Sequence, residues 1–232
     1  MQIGTLVGLW RYPVKSMAGE ALTEAQVNWH GIAGDRRWAF IRPGLERSGF
    51  PWLTLREVAD MRQFTPRFED PSEPDTSRVL VRTPEDDEYE VTDPALATRL
   101  GDGVRVIKQD RGVFDALPLS LITTSTVDGI AALSGRPLEP VRFRPNLLVA
   151  ATQGEAYPED GWLGATLRIG ELRMRADVRD SRCVITTMDP ETGERDPRVL
   201  REIAQHRGNC AGVYGTIVTP GSIRVGDAVA IE

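Results

Sequence analysis

The sequence predicts a mixed α/β, mainly β fold of barrel-like architecture. Three observations carry this expectation. Short strand-like apolar runs recur along all 232 residues. Glycine and proline, 22 and 16 in number, punctuate them. No strand–helix–strand alternation is sustained, so a parallel α/β sheet is not indicated.

Ile3 to Trp10 reads as the first strand, followed by Leu22 to Val27, where apolar and polar residues partly alternate, and Trp38 to Ile41. Thr54-Leu55-Arg56-Glu57 has the spacing of a capping box, which predicts a short helix near 55–63. Residues 66–93 carry ten acids and three arginines. Val79-Leu80-Val81 and Tyr89-Glu90-Val91 within them read as two strands of a solvated hairpin. Asp93-Pro94 opens a short helix that Gly101 closes. The stretch from Asp110 to Pro118 is the boundary candidate, giving a β-rich domain over 1–115 and a second domain over 116–232.

In the second half, Ser125 or Thr126 is placed to cap a helix carrying Val127, Ile130, Ala131 and Leu133, stopped by Gly135 and Pro137. Phe143 and Leu147 to Val149 suggest a buried strand. Leu163 to Arg175 reads as two strands broken at Gly170-Glu171. The four residues after Cys183 favour an extended strand, and Asp189-Pro190 begins a turn. Asp196-Pro197 opens a helix with Val199, Leu200 and Ile203 on one face and Gly208 beyond it. The tail from Val213 to Ile231 breaks into strands at Pro220-Gly221 and Gly226-Asp227.

Composition narrows function. The net charge of −6 disfavours general nucleic-acid binding. No apolar run approaches the roughly 18 residues of a membrane span, and the N-terminus lacks the basic-then-apolar pattern of a secretory signal. Two cysteines, Cys183 and Cys210, make no disulfide framework and fit a reducing cytoplasm. Of the 28 basic residues only Lys15 and Lys108 are lysines. A lysine kept where arginine is the rule suggests a site wanting a compact point charge. There is no Gly-x-Ser-x-Gly, phosphate loop or Cys-x-x-Cys. His30 and His206 stand far apart and are not placed as a catalytic pair.

Cys183 is the residue with most chemical potential. Preceded by Arg182, it is placed to be a thiolate, the form that attacks electrophiles and binds soft metals. The plain alternative is a small buried hydrophobe.

Four runs carry a resemblance. Tyr12-Pro13-Val14-Lys15-Ser16-Met17, Gly34-Asp35-Arg36-Arg37-Trp38, Arg142-Phe143-Arg144-Pro145-Asn146 and Asp180-Ser181-Arg182-Cys183 occur in this order. Together they resemble the molybdenum cofactor sulfurase C-terminal (MOSC) domain family with its N-terminal β-barrel domain, and within it the amidoxime-reducing molybdoenzymes. The resemblance implies molybdenum–molybdopterin as cofactor and Cys183 as the protein thiolate on the metal. It assigns Lys15, Ser16, Arg36, Arg144 and Asn146 to cofactor binding.

The residue types suit such a ligand. Lys15 and Ser16 offer a charge and a hydroxyl to a phosphate, and Arg36 a charge-assisted fork. Asn146 both donates and accepts, so it can read a pterin edge or support its own loop. Each has a plainer reading: Lys15 as an exposed lysine, Arg36 as an ion-pair residue, Arg144 as the anchor of a carboxylate. The implied activity is reduction of small N-hydroxylated substrates. The electrons come from a separate donor of ferredoxin, flavodoxin or reductase type, because this sequence shows neither length nor cysteines for a fused ferredoxin module. The same motifs also suit a sulfur carrier or cofactor carrier using Cys183, or a binding module without catalysis.

Overall fold

The computed structural model describes residues 1–152 and 154–232. The chain forms two compact units. One comprises Met1–Trp10, Ala21–Ala33 and Ala116–Glu232; the other comprises Arg11–Glu20 and Gly34–Asp115.

The first unit is a closed barrel of seven strands. Around it run Leu147–Ala151, Leu119–Thr123, Cys210–Thr219, Leu172–Ser181, Thr166–Ile169, Ala228–Ile231 and Gln2–Arg11. The last pairs back onto the first with Leu6 opposite Val149, which closes the ring and leaves no long open edge. All pairings are antiparallel except Leu119–Thr123 with Leu147–Ala151. A parallel pair needs a long crossover, and the helix Thr124–Ser134 lies in this one.

Every residue of Leu119–Thr123 is buried, because the strand faces two cores. Leu119 and Leu121 point into the barrel with Leu6, Leu147, Leu167 and Val213. Ile122 points outward to a second cluster with Val127 and Ile130 of that helix and Val199 and Ile203 of the helix Pro197–Arg207. Alternation along a strand puts neighbours on opposite faces, so covering both faces yields a continuous apolar run.

Both helices start and stop on their own chemistry. Thr123 Oγ1 accepts from the Thr126 N–H and Asp196 Oδ1 from the Arg198 N–H, while Gly135 and Gly208 end them in left-handed backbone. The first cap is Thr123, not Ser125 or Thr126, so the helix begins directly at the strand end.

The second unit holds two small antiparallel sheets. Trp38–Ile41 pairs with Arg105–Lys108; Thr65–Phe68, Val79–Arg82 and Glu88–Glu90 form the other. Phe40, Met61, Val81 and Leu96 are fully buried in it. The capping box forms, with Glu57 Oε2 accepting from the Thr54 N–H at 2.9 Å, yet no α-helix follows. The chain makes a turn and then a 3₁₀ helix at Ala59–Gln63, because Phe64 must leave in extended backbone. Among the described residues no helix is long and apolar enough to cross a membrane.

Candidate functional site

The barrel unit brings the Arg142–Asn146 run and the Asp180–Asp189 run together through two buried arginines. Arg182 leaves the end of Leu172–Ser181 and spends its whole guanidinium on this join. Nε and Nη2 donate to the Ala211 carbonyl at 2.8 and 2.5 Å, and Nη1 donates to the Phe143 carbonyl at 2.8 Å. Nη2 also lies 2.8 Å from Asp180 Oδ2, and both side chains are buried. Arg142 reaches the opposite way, donating to Asp189 Oδ2 at 2.7 Å and towards the Thr187 carbonyl at 3.5 Å. Burial pushes the Arg142 pKa down against the opposing pull of Asp189. The backbone N–H of Thr192, with help from Glu191 and Arg142, holds the Asp189 carboxyl below the usual aspartate range.

Ser120 completes the frame. Its hydroxyl donates to Asp180 Oδ2 at 3.0 Å, and its N–H donates to Asn146 Oδ1 at 3.2 Å. Asn146 Nδ2 donates to the Trp10 carbonyl at 3.2 Å. Asn146 is therefore buried in the barrel wall, with both ends of its amide bonded there. This is the loop-supporting role of the two that its chemistry allows. Arg144, two residues earlier, is half-buried and holds left-handed backbone at φ 52°, its N–H donating to the Val141 carbonyl.

Cys183 follows the Arg182 anchor. Val184–Thr187 is a 3₁₀ turn, where local sequence favours a strand. Propensity yields because Cys183 acts as its N-cap residue, its carbonyl accepting from both the N–H and the hydroxyl of Thr186. The thiol is half-buried, and Cys183 and Cys210 are both free. Among the described residues no hydrogen bond engages the Cys183 sulfur. The Arg182 charge is paired with Asp180. Arg182 is an anchor that fixes where Cys183 starts.

The second unit holds Lys15, Ser16 and Arg36. The Tyr12–Met17 and Asp35–Trp38 runs are joined by backbone bonds: Arg36 N–H to Tyr12 carbonyl at 2.6 Å, Trp38 N–H to Pro13 carbonyl at 3.2 Å and Lys15 N–H to Trp38 carbonyl at 2.8 Å. Asp35, fully buried, accepts from the Tyr12 N–H at 2.7 Å and pairs with Arg36 Nη1 at 2.5 Å. The Arg36 guanidinium stacks 4.6 Å from the Tyr12 ring centroid. Lys15 is buried rather than exposed; its ammonium donates to the Val113 carbonyl at 3.1 Å and Asp115 Oδ1 at 2.6 Å.

Six non-glycine residues among those described have positive φ: Ser16, Arg36, Asp86, Arg144, Tyr157 and Asn209. Three of them are candidate site residues. Left-handed backbone costs an L residue roughly 1–2 kcal/mol, and such strain concentrates at functional positions.

Sequence reading assigned no role to Arg142 or Ser120, and it read Arg182 as a charge beside Cys183 rather than as the partner of Asp180. Asp180 and Arg182 stand two apart at the end of a strand, hence on one face, which was a legible sign of an ion pair. Nothing local marks Ser120. Among the described residues no cluster of three or more His, Cys, Asp or Glu side chains is placed to hold a metal ion.

Comparison with known proteins agrees with the four-run pattern. The model of the MOSC domain matches residues 108–230, and that of the MOSC N-terminal beta barrel domain matches residues 3–116. A Mus musculus protein named mitochondrial amidoxime-reducing component 1 is 25% identical, spanning 98% of this chain and 82% of its own. A Homo sapiens protein named mitochondrial amidoxime reducing component 2 is 23% identical, spanning 98% of this chain and 83% of its own. A Danio rerio component 1 is 31% identical over 50% of this chain and 37% of its own. The YUAD protein from Bacillus subtilis has a similar fold, with TM-score 0.53 at 14% identity over 98% of this chain and 94% of that one.

Proposed function

The chain belongs to the MOSC domain family, and from that premise we propose that it is a molybdenum-cofactor-binding oxidoreductase that reduces N-hydroxylated compounds. The single observation that carries the reading is Cys183: a free, half-buried thiol with no hydrogen bond on its sulfur, following a buried arginine anchor. A thiol left unbonded at a place fixed this firmly suits a ligand to a soft metal. The donor set fits the rest of the cofactor. Lys15, Ser16 and Arg36 offer cations and a hydroxyl to its phosphate, and Arg144 offers a fork to its anionic portion. Asn146 acts one step removed, holding the Arg144-Pro145 turn through Ser120 and Trp10.

When bound, the molybdenum cofactor supplies the two-electron chemistry that removes oxygen from an N–O group. The protein's own share is placement. Arg182 ties the segment before Cys183 to the Phe143 carbonyl, and Arg142 holds Asp189 of the segment after it. Electrons come from a separate donor protein of ferredoxin, flavodoxin or reductase type, and the two free cysteines suit a reducing cytoplasm. The substrate class rests on the names of the relatives, since amidoximes are N-hydroxylated.

The test is turnover of benzamidoxime with a chemical electron donor by protein expressed with molybdate. Reduction by wild type and none by Cys183→Ser supports the reading; undiminished reduction by Cys183→Ser refutes it. The same unbonded thiol would also serve a sulfur carrier. Persulfide on Cys183 in protein that binds the cofactor without turnover would establish that second reading.

A further inference from the structure

Both cations of the Lys15 region already hold a carboxylate partner. Arg36 is matched by Asp35, and Lys15 by Asp115. A phosphate arriving at these cations competes with the carboxylates that already pair with them. The two differ sharply. Asp35 is fully buried and also accepts the Tyr12 N–H, so losing it would undo the turn that presents Arg36. The Asp115 side chain is 62% exposed.

The backbone up to Val113 is fixed. Its N–H donates to the Arg36 carbonyl at 2.7 Å. Gly112 (φ 73°) is packed so closely that an added Cβ would lie 2.8 Å from the Asp35 carbonyl. The Val113 carbonyl thus remains on the Lys15 ammonium whatever Asp115 does, and rotation of one exposed side chain opens the other donor position.

We propose that Asp115 is an internal competitor for the phosphate group that Lys15 binds. Its carboxylate satisfies the buried ammonium while the site is empty and swings into solvent when a phosphate arrives. The inference rests on the assignment of Lys15 to a phosphate in the proposed function. It adds a specificity consequence. A weak monoanion cannot displace the resident carboxylate, whereas a phosphate dianion, with more charge and more acceptor oxygens, can.

The experiment is isothermal titration of the full-length, pterin-free chain with inorganic phosphate at pH 8 and low salt, for wild type, Asp115→Asn and Lys15→Gln. Removing the competitor should tighten phosphate binding about 1.5- to fivefold in Asp115→Asn, the range expected when an ion pair with one exposed partner no longer has to be broken. Lys15→Gln should lose binding. Equal or weaker binding by Asp115→Asn, with Lys15→Gln still defective, overturns the role of Asp115 and leaves Lys15 as a phosphate ligand. Undiminished binding by Lys15→Gln overturns both. No binding by Asp115→Asn in the millimolar range also overturns the proposal. Asp115 is exposed, so the comparison of Asp115→Asn with wild type holds even if Lys15→Gln folds poorly.

Discussion

Replacing Arg182 with methionine tests the anchor beneath Cys183. The guanidinium makes three hydrogen bonds to carbonyls of Phe143 and Ala211 and one ion pair with Asp180, all in a buried setting. Methionine keeps much of the volume and removes every polar contact. Asp180 is then a buried carboxylate without its arginine, and two main-chain carbonyls lose a charged donor. Breaking a buried pair by removing one partner costs about 3–5 kcal/mol. That is a large part of the roughly 5–15 kcal/mol that stabilises a domain. With a urea slope of about 2 kcal/mol per molar, the midpoint falls by about 2 M.

Adding Asp180→Asn should recover part of the loss, because no charge is then stranded. About 1–3 kcal/mol remains for the unpaired carbonyls. The assay is equilibrium urea unfolding followed by tryptophan fluorescence and circular dichroism for wild type, both single variants and the double. A midpoint shift below about 0.5 M for Arg182→Met, or strict additivity in the double variant, would refute the view that Arg182 acts as a buried clamp.

Other expectations follow from the same geometry. Ser16→Gly should leave stability within about 1 kcal/mol of wild type, since relief of left-handed strain offsets the added chain entropy. Phosphate affinity should nonetheless drop, and a fold loss above 2 kcal/mol would contradict the strain argument. Asp196 is held well below its usual range by Arg198 and Arg136, and Asp189 by the Thr192 N–H. Depressed carboxylates add stability that is complete above their unfolded pKa near 4 and is lost as pH falls through the folded value. Urea midpoints should therefore be level from about pH 8 to 5 and fall below about pH 4.5. Asp196→Asn and Asp189→Asn should be less stable at pH 7 and fall less steeply in acid; an unchanged acid slope would remove these two from the explanation.

Much of the barrel was legible, because its strands and turns are written in local chemistry. Leu147 to Val149 reads as a buried apolar run, and Asp196-Pro197 and Gly208 bracket a helix as their chemistry demands, whereas the strand Leu119–Thr123 went unread. Closure was not legible. It depends on Leu6 meeting Val149, far away in sequence, and no local pattern encodes that pairing. The helix expected near 55–63 failed although its capping box formed, since a cap satisfies N–H groups without supplying an apolar face to bury.

At the candidate site, residue types were readable and backbone was not. Ser16, Arg36 and Arg144 adopt left-handed φ with no glycine or asparagine to signal it. Arg182 was read as a charge beside the thiol, and the structure pairs that charge with Asp180. Sequence adjacency puts two residues 3.8 Å apart along the backbone but sends their side chains to opposite faces of an extended chain.

The most direct test of the central claim is molybdenum by elemental mass spectrometry together with oxidised-pterin fluorescence, on wild type and Cys183→Ser purified from cells supplied with molybdate. The account expects near-stoichiometric molybdenum and pterin in wild type and loss of molybdenum in the variant, with both proteins folded. Neither metal nor pterin in folded wild type, or equal molybdenum in Cys183→Ser, would contradict it.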